Sequence, residues 1–395
     1  MKRNHWIILI TTLVLLAALV LPACSPEPAP TSPSPAPVQN PTTSPTAAPT
    51  TAPTTAPTTA PTTAPTTAPA QAKTLKFSYS MPKGSAIGAG FEWFAQELPK
   101  RSNGHFKVET YPSSSLIGLP VALDSAKKGV AEIVMTSAGI NPSALPLSLV
   151  AEVPTLGFPG GSQEAYKAAY DAAQELYATV PEVQAEYEGL HVLGLFPVDP
   201  FYLASKKAEI HKPSDFRGMK VGGSGTIMEI VTHNGGAKVQ QVPPESYLNL
   251  DKGVTDATFI TWGQVSPYKI GEVCNYYYEY PFSSGFLVVL FNGASWNALT
   301  PDEQKMVNEV WEDATVQCFQ GMIDEVASGR QYLLDSGHTL TQPTDEEKAA
   351  WEDAAKASSD KWKADAVTNG VQPAVADKIL AEWTKIRAKY IETIE

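Results

Sequence analysis

Four short segments carry residue types suited to holding a small molecule: Ser80-Met81-Pro82-Lys83-Gly84-Ser85, Thr136-Ser137-Ala138, Gly222-Gly223-Ser224-Gly225-Thr226 and Thr261-Trp262-Gly263. Ser80, Thr136, Ser137, Ser224, Thr226 and Thr261 offer hydroxyls. Tyr79 adds a phenol, Lys83 a cation and Trp262 a broad apolar face, although Trp262 could equally cover a gap in a core. The glycines at Gly222, Gly223 and Gly225 leave backbone amides bare at a helix start, which suits an anion or a carbonyl oxygen. They lack the third glycine of a dinucleotide fingerprint, and no phosphate loop is present.

Catalytic chemistry has no such support. The six histidines, His5, His105, His191, His211, His233 and His338, have no ligand spacing. Ser137 lacks a nucleophile elbow, and the acids cluster on predicted helix faces. The reading is therefore no enzyme, no metal and no cofactor.

The elements that must position these segments repeat. Leu75 to Tyr79 reads as a strand, and a helix follows with Ile87, Phe91, Phe94, Ala95 and Leu98 on one face. Phe106 to Tyr111 is a strand, Gly118 to Lys128 a helix, and Val130 to Met135 a strand. The order recurs as strand 219–221, helix 226–234, strand 237–242, helix 245–252 and strand 256–260. Lys128-Gly129-Val130-Ala131-Glu132 matches Lys252-Gly253-Val254-Thr255-Asp256, with glycine where each helix ends. Two such units imply an α/β fold of two lobes. Ligands then bind beyond the carboxyl ends of the strands, where the four segments lie.

Leu190 to Leu195, Tyr202 to Ser205 and Phe286 to Phe291 read as strands crossing between lobes. Thr300-Pro301-Asp302-Glu303 and Thr344-Asp345-Glu346-Glu347 are capping boxes that open long C-terminal helices. The expected division is lobe one over about 73–195 with part of 286–395, and lobe two over about 205–282.

The chain's start sets the compartment. Lys2 and Arg3 precede an apolar run from Trp6 to Leu21, a secretory signal over 1–23. Leu21-Pro22-Ala23-Cys24 is similar to a lipobox, which makes Cys24 a lipid attachment point. Five Thr-Thr-Ala-Pro units from Thr50 to Pro69 lie within a Pro/Thr/Ala linker over 24–72, a composition that cannot offset chain entropy by burial. A net charge of −12 with only five arginines argues against nucleic acid as partner. Cys274 and Cys318 could pair in an oxidising compartment.

Lys212-Pro213-Ser214-Asp215-Phe216-Arg217-Gly218-Met219-Lys220-Val221, Gly253-Val254-Thr255-Asp256, Glu272-Val273, Asn292 followed by Trp296, and the capped helix after Thr300 form an ordered series along the chain. In this series the chain from about Thr74 onward resembles the DctP-type solute receptors of TRAP transporters. The resemblance implies a two-lobed periplasmic-binding-protein-like fold that closes on a small-molecule solute. It also implies hinge strands, a long C-terminal helix spanning the lobes, an extracytoplasmic location, and docking to integral membrane subunits whose transport is driven by an ion gradient. A binding module feeding a membrane sensor is the alternative.

One departure matters. After Lys220-Val221 the family places an arginine that grips the ligand's carboxylate, and here Gly222 stands there. The family's Asp-Gly and following Asn are also missing after Asp256. A neutral or aromatic solute is therefore as compatible as an organic acid. Arginine at 222 is expected to restore a preference for carboxylates unless neighbouring bulk blocks it.

Overall fold

The structure is a computed structural model that describes residues 72–394. The signal segment, Cys24 and nearly all of the linker lie outside the described residues. The first unit comprises β1 (Lys73–Ser78), α1 (Ala86–Arg101), β2 (Phe106–Tyr111), α2 (Ala122–Lys127) and β3 (Ile133–Ser137). Two helices follow, α3 (Gln163–Thr179) and α4 (Pro181–Glu186). β4 (Leu190–Ser205) leads to the second unit: β5 (Lys220–Gly223), α5 (Met228–His233), β6 (Ala237–Gln240), α6 (Ser246–Asp251), β7 (Ala257–Ile260) and α7 (Trp262–Val265). β8 (Tyr276–Asn292) returns to the first unit. The chain closes with α8 (Gly293–Asn297), α9 (Pro301–Asp335), β9 (Thr339–Thr341), α10 (Asp345–Thr368) and α11 (Pro373–Ile391).

All nine strands among the described residues join one sheet, ordered β2-β1-β3-β8-β4-β7-β5-β6, with β9 beside β8. The repeat seen in the sequence is a repeat of register. β1 lies parallel between β2 and β3 as β5 lies between β6 and β7, with Phe77 facing Ile133 and Val221 facing Ala257. One residue earlier in each strand, the Lys76 amide donates to Glu132 Oε2 at 2.7 Å, and the Lys220 amide to Asp256 Oδ2 at 2.9 Å. Gly129 and Gly253 share φ +69° after their helices, a left-handed turn that costs glycine nothing.

The crossing strands are longer than their sequence pattern predicts. β4 is one strand of 16 residues where two short ones were expected, and β8 has 17 residues, beginning ten before Phe286. Pro197, Pro200 and Pro281 hide this continuity. A proline removes a ladder donor and is tolerated at irregularities, and the β4–β8 register does shift between Pro197 and Pro200.

Helices cover both faces of the sheet. Val307, Val310, Trp311, Ala314, Phe319 and Met322 of α9 pack with α1 in the first half's core, and Leu333 joins the second half's core. α9 thus spans both halves, as expected. Its approach depends on having no side chain at Gly329, where a Cβ would meet Trp262 O at 2.0 Å. α10 also spans both: Trp351 and Ala355 lie in a second-half cluster, Trp362 and Ala366 in a first-half one. Both capping boxes form. The Glu303 amide donates to Thr300 Oγ1 at 3.3 Å and the Glu347 amide to Thr344 Oγ1 at 3.2 Å.

The cysteine pairing does not occur. Cys274 and Cys318 are both free and buried, and they sit in different core clusters, Cys274 with Trp262 and Leu333 and Cys318 with Phe91 and Trp311.

Candidate functional site

Strand register brings the two sets of strand tips together. β3 ends at Ser137 opposite Leu287 of β8, which faces Phe196 of β4. β7 ends at Ile260 opposite Tyr202 of β4. Only Pro197 to Phe201 separates those two β4 positions, and this is where β4 bends. The carboxyl ends of strands from both halves therefore converge on the bend, the place an α/β sheet keeps for a ligand.

On one side of the bend lies a pocket of about 80 Å³ lined by Phe201, Gly223, Ser224, Ile227, Gln241, Pro243, Ser246 and Phe259. None of these residues is charged. Gln241 is buried and organises the floor: its Nε2 donates to Ser246 Oγ at 3.0 Å and Thr258 Oγ1 at 2.9 Å, and its Oε1 accepts from Asn249 Nδ2 at 2.7 Å. The amide occupies the space above Gly222, where a Cβ would meet Gln241 Nε2 at 2.2 Å. Glycine at 222 and glutamine at 241 are thus a matched pair. An arginine at 222 does not fit while Gln241 stays in place.

Glu152 connects the halves beside this pocket. Its carbonyl accepts from Thr226 Oγ1 at 2.8 Å and from Ser283 Oγ at 2.7 Å. Its carboxylate accepts from the Phe286 amide at 3.3 Å. Desolvation dominates over that bond and a second one from the Gly139 amide, pushing the pKa up to about 7. Across the bend, Tyr166 donates to Asp199 and the Ala86 amide donates to Glu325 Oε1 at 2.7 Å. Burial raises both of these carboxyls as well.

The structure divides the residues singled out from the sequence. Gly222, Ser224 and Thr226 lie at or beside the pocket. Lys83 is exposed and its charge is met by Glu92 at 2.6 Å. Tyr79 is buried and donates to Glu92 at 2.7 Å. Thr136 is buried and accepts from Asn141 Nδ2 at 2.8 Å, while Ser137 accepts from the Ile140 amide at 3.3 Å. Ser80 is half-buried beside Tyr79. Thr261 is buried and caps α7. Trp262 is 2% exposed, stacked on Tyr202 with centroids 4.4 Å apart. It fills a core between β4 and α9 and presents no open face, so the gap-covering reading describes it. Phe201, Gln241, Ser246, Phe259 and Glu152 were not anticipated. The sequence pattern extends the strand from Ala237 to Val242, whereas β6 ends at Gln240, which makes Gln241 a strand tip.

A family model described as "Bacterial extracellular solute-binding protein, family 7" (DctP) matches residues 77–365. The chain belongs to this family. It is a solute-binding receptor, and the family is not one of enzymes. A monocarboxylate 2-oxoacid-binding periplasmic protein of Nostoc sp. is 31% identical over 68% of this chain and 70% of its own length. A solute-binding protein of Albidiferax ferrireducens is 28% identical over 52% of this chain, and the match spans only 60% of that protein. Among solved structures, a TRAP periplasmic solute-binding protein of Desulfovibrio salexigens, an open complex, is 26% identical with TM-score 0.69. That match covers 81% of this chain and 97% of the other. A TRAP solute-binding protein of Rhodoferax ferrireducens, holding copurified benzoate, is 24% identical with TM-score 0.70, covering 82% and 99%. The mixed α/β sheet of two lobes is the fold of these structures.

Proposed function

We propose that this receptor captures a small uncharged or weakly polar aromatic solute in the pocket around Gln241 and delivers it to the membrane subunits of a TRAP-type secondary transporter. The observation that carries the solute class is the pairing of Gly222 with Gln241. The position from which a guanidinium would grip a carboxylate has no side chain, and a primary amide fills the space. Gln241 spends both amide hydrogens on Ser246 and Thr258 and keeps one lone pair on Oε1, which suits a hydroxyl or an amide N–H of a neutral solute. Phe201, Phe259 and Ile227 supply apolar walls. Gly222, Ser224 and Thr226 belong to this reading of the site. Tyr79, Ser80, Lys83, Thr136, Ser137, Thr261 and Trp262 act in it as supports around the strand tips.

In this reading lobe one takes about 73–195 with part of 286–395, and lobe two about 205–282. Cys24 carries the lipid that holds the chain at the outer face of a membrane, and the Pro/Thr/Ala tract is the stalk. Metabolic labelling with a fatty acid, compared between wild type and Cys24→Ser, tests the anchor. Unchanged labelling in the variant removes it.

Calorimetry with benzamide and benzoate tests the solute class, since the two differ only in charge and donor. Benzamide is expected to bind at least about tenfold tighter, a difference of about 1.4 kcal/mol. Equal affinity, or preference for benzoate, overturns this reading of the pocket.

A further inference from the structure

A second cavity of about 210 Å³ lies against β8, with Phe158, Tyr280, Pro281, Ser283, Glu352 and Arg387 in its lining. It shares no lining residue with the Gln241 pocket. Arg387 comes from α11 and Glu352 from α10. Arg387 also lies beyond residues 77–365, the span that matches the family.

The two charges make this cavity unusual. Among the described residues, Arg387 makes one hydrogen bond, from Nε to Gly157 O at 2.7 Å, and no ion pair. Its two terminal nitrogens are left without an acceptor there. Glu352 likewise has no ion pair or hydrogen bond among the described residues. A guanidinium and a carboxylate thus line one cavity without bonding to each other. Arg387 is half-buried and Glu352 is exposed at the rim. A half-buried guanidinium is ordinarily paired, and burial already pulls the Arg387 pKa down, only partly offset by Glu352 and Tyr280. The Tyr280 hydroxyl, held up to about 12 mainly by burial, remains a neutral donor. The hydroxyls of Ser283 and Ser284 are spent on Glu152 O and Phe158 O.

We propose that this cavity binds a small zwitterion of the α-amino acid class. Its carboxylate lies on the free edge of the Arg387 guanidinium, its ammonium faces Glu352, and its side chain rests on Phe158 and Pro281. A single anion drawn to Arg387 meets the like charge of Glu352 in the same cavity, and a cation drawn to Glu352 meets that of Arg387. A molecule carrying both charges at fixed separation satisfies each at once. The volume falls below the roughly 300–1,000 Å³ of drug-sized sites, which confines the ligand to a small molecule. The proposal does not depend on the nature of the solute in the Gln241 pocket.

The test uses the full chain with L-alanine, propionate and ethylammonium as probes, followed by calorimetry. L-alanine is expected to bind at least about tenfold tighter than either single-charge probe. Arg387→Gln and Glu352→Gln should each weaken it at least about tenfold, while Gln241→Ala leaves it unchanged. Glu352→Gln removes no hydrogen bond of the fold, so its result stands even if Arg387→Gln unfolds the chain. No binding of L-alanine at millimolar concentration overturns the proposal. So does equal affinity in Glu352→Gln, or propionate binding as tightly as L-alanine. Loss of binding in Gln241→Ala with retention in Glu352→Gln places the probe in the other pocket and overturns it too.

Discussion

At the residue scale, Gly222 and Gln241 decide how far substrate preference can be moved. Gly222→Arg alone forces its Cβ into the Gln241 amide, and overpacking of this kind costs about 1–3 kcal/mol. The single variant is expected to lose thermal stability and to gain no affinity for benzoate. Gly222→Arg with Gln241→Gly opens the space, and calorimetry should then find benzoate preferred over benzamide. A gain by the single variant would mean that Gln241 moves aside freely. Trp262 belongs to the same scale. It is as enclosed as Trp383, so truncating either to alanine is expected to cost about 3–5 kcal/mol of stability. Chemical denaturation of the two variants measures this. A near-neutral Trp262→Ala would contradict its place in the core.

At the scale of elements, the crossing strands and spanning helices are held by small local devices. Thr300→Ala and Thr344→Ala each remove a formed cap and should cost about 1 kcal/mol, read from urea midpoints. Gly329→Ala drives a methyl into the Trp262 carbonyl and should cost more than either. Legibility in the sequence differed among these elements for physical reasons. The twin units were readable because Lys-Gly at each helix end and an acid at each strand start encode one local geometry twice. The capping boxes were readable because three-residue spacing is the mechanism itself. β4 and β8 were not, since prolines at the bend imitate strand ends when only the chain is seen. The pocket was half visible: Gly222, Ser224 and Thr226 follow from the strand-tip rule. Gln241 and Glu152 depend on tertiary neighbours that no spacing reveals.

At the scale of the whole molecule, stability responds to pH through Glu152. Its folded pKa, about 7, stands above the ordinary 4.5, so the folded state holds a proton that the unfolded state releases first. Its contribution is therefore complete below pH 4.5 and is lost as pH rises through about 7. Glu186, also raised to about 7 by burial, acts in the same sense. The melting temperature of Glu152→Gln, compared with wild type across that window, should fall less steeply on going to neutral pH. Parallel curves for the two proteins would exclude Glu152 as a source.

The two buried thiols hold a practical consequence. Burial pushes Cys274 up to about 12 and Cys318 higher still, so neither reacts as a thiolate while its surroundings stay shut. One belongs to each half of the molecule, which turns them into a pair of internal clocks. In a Cys24→Ser background, the rate at which an alkylating reagent modifies each one times the breathing of that half alone. Adding solute should slow both clocks together if the halves open as one, and only one of them if they do not.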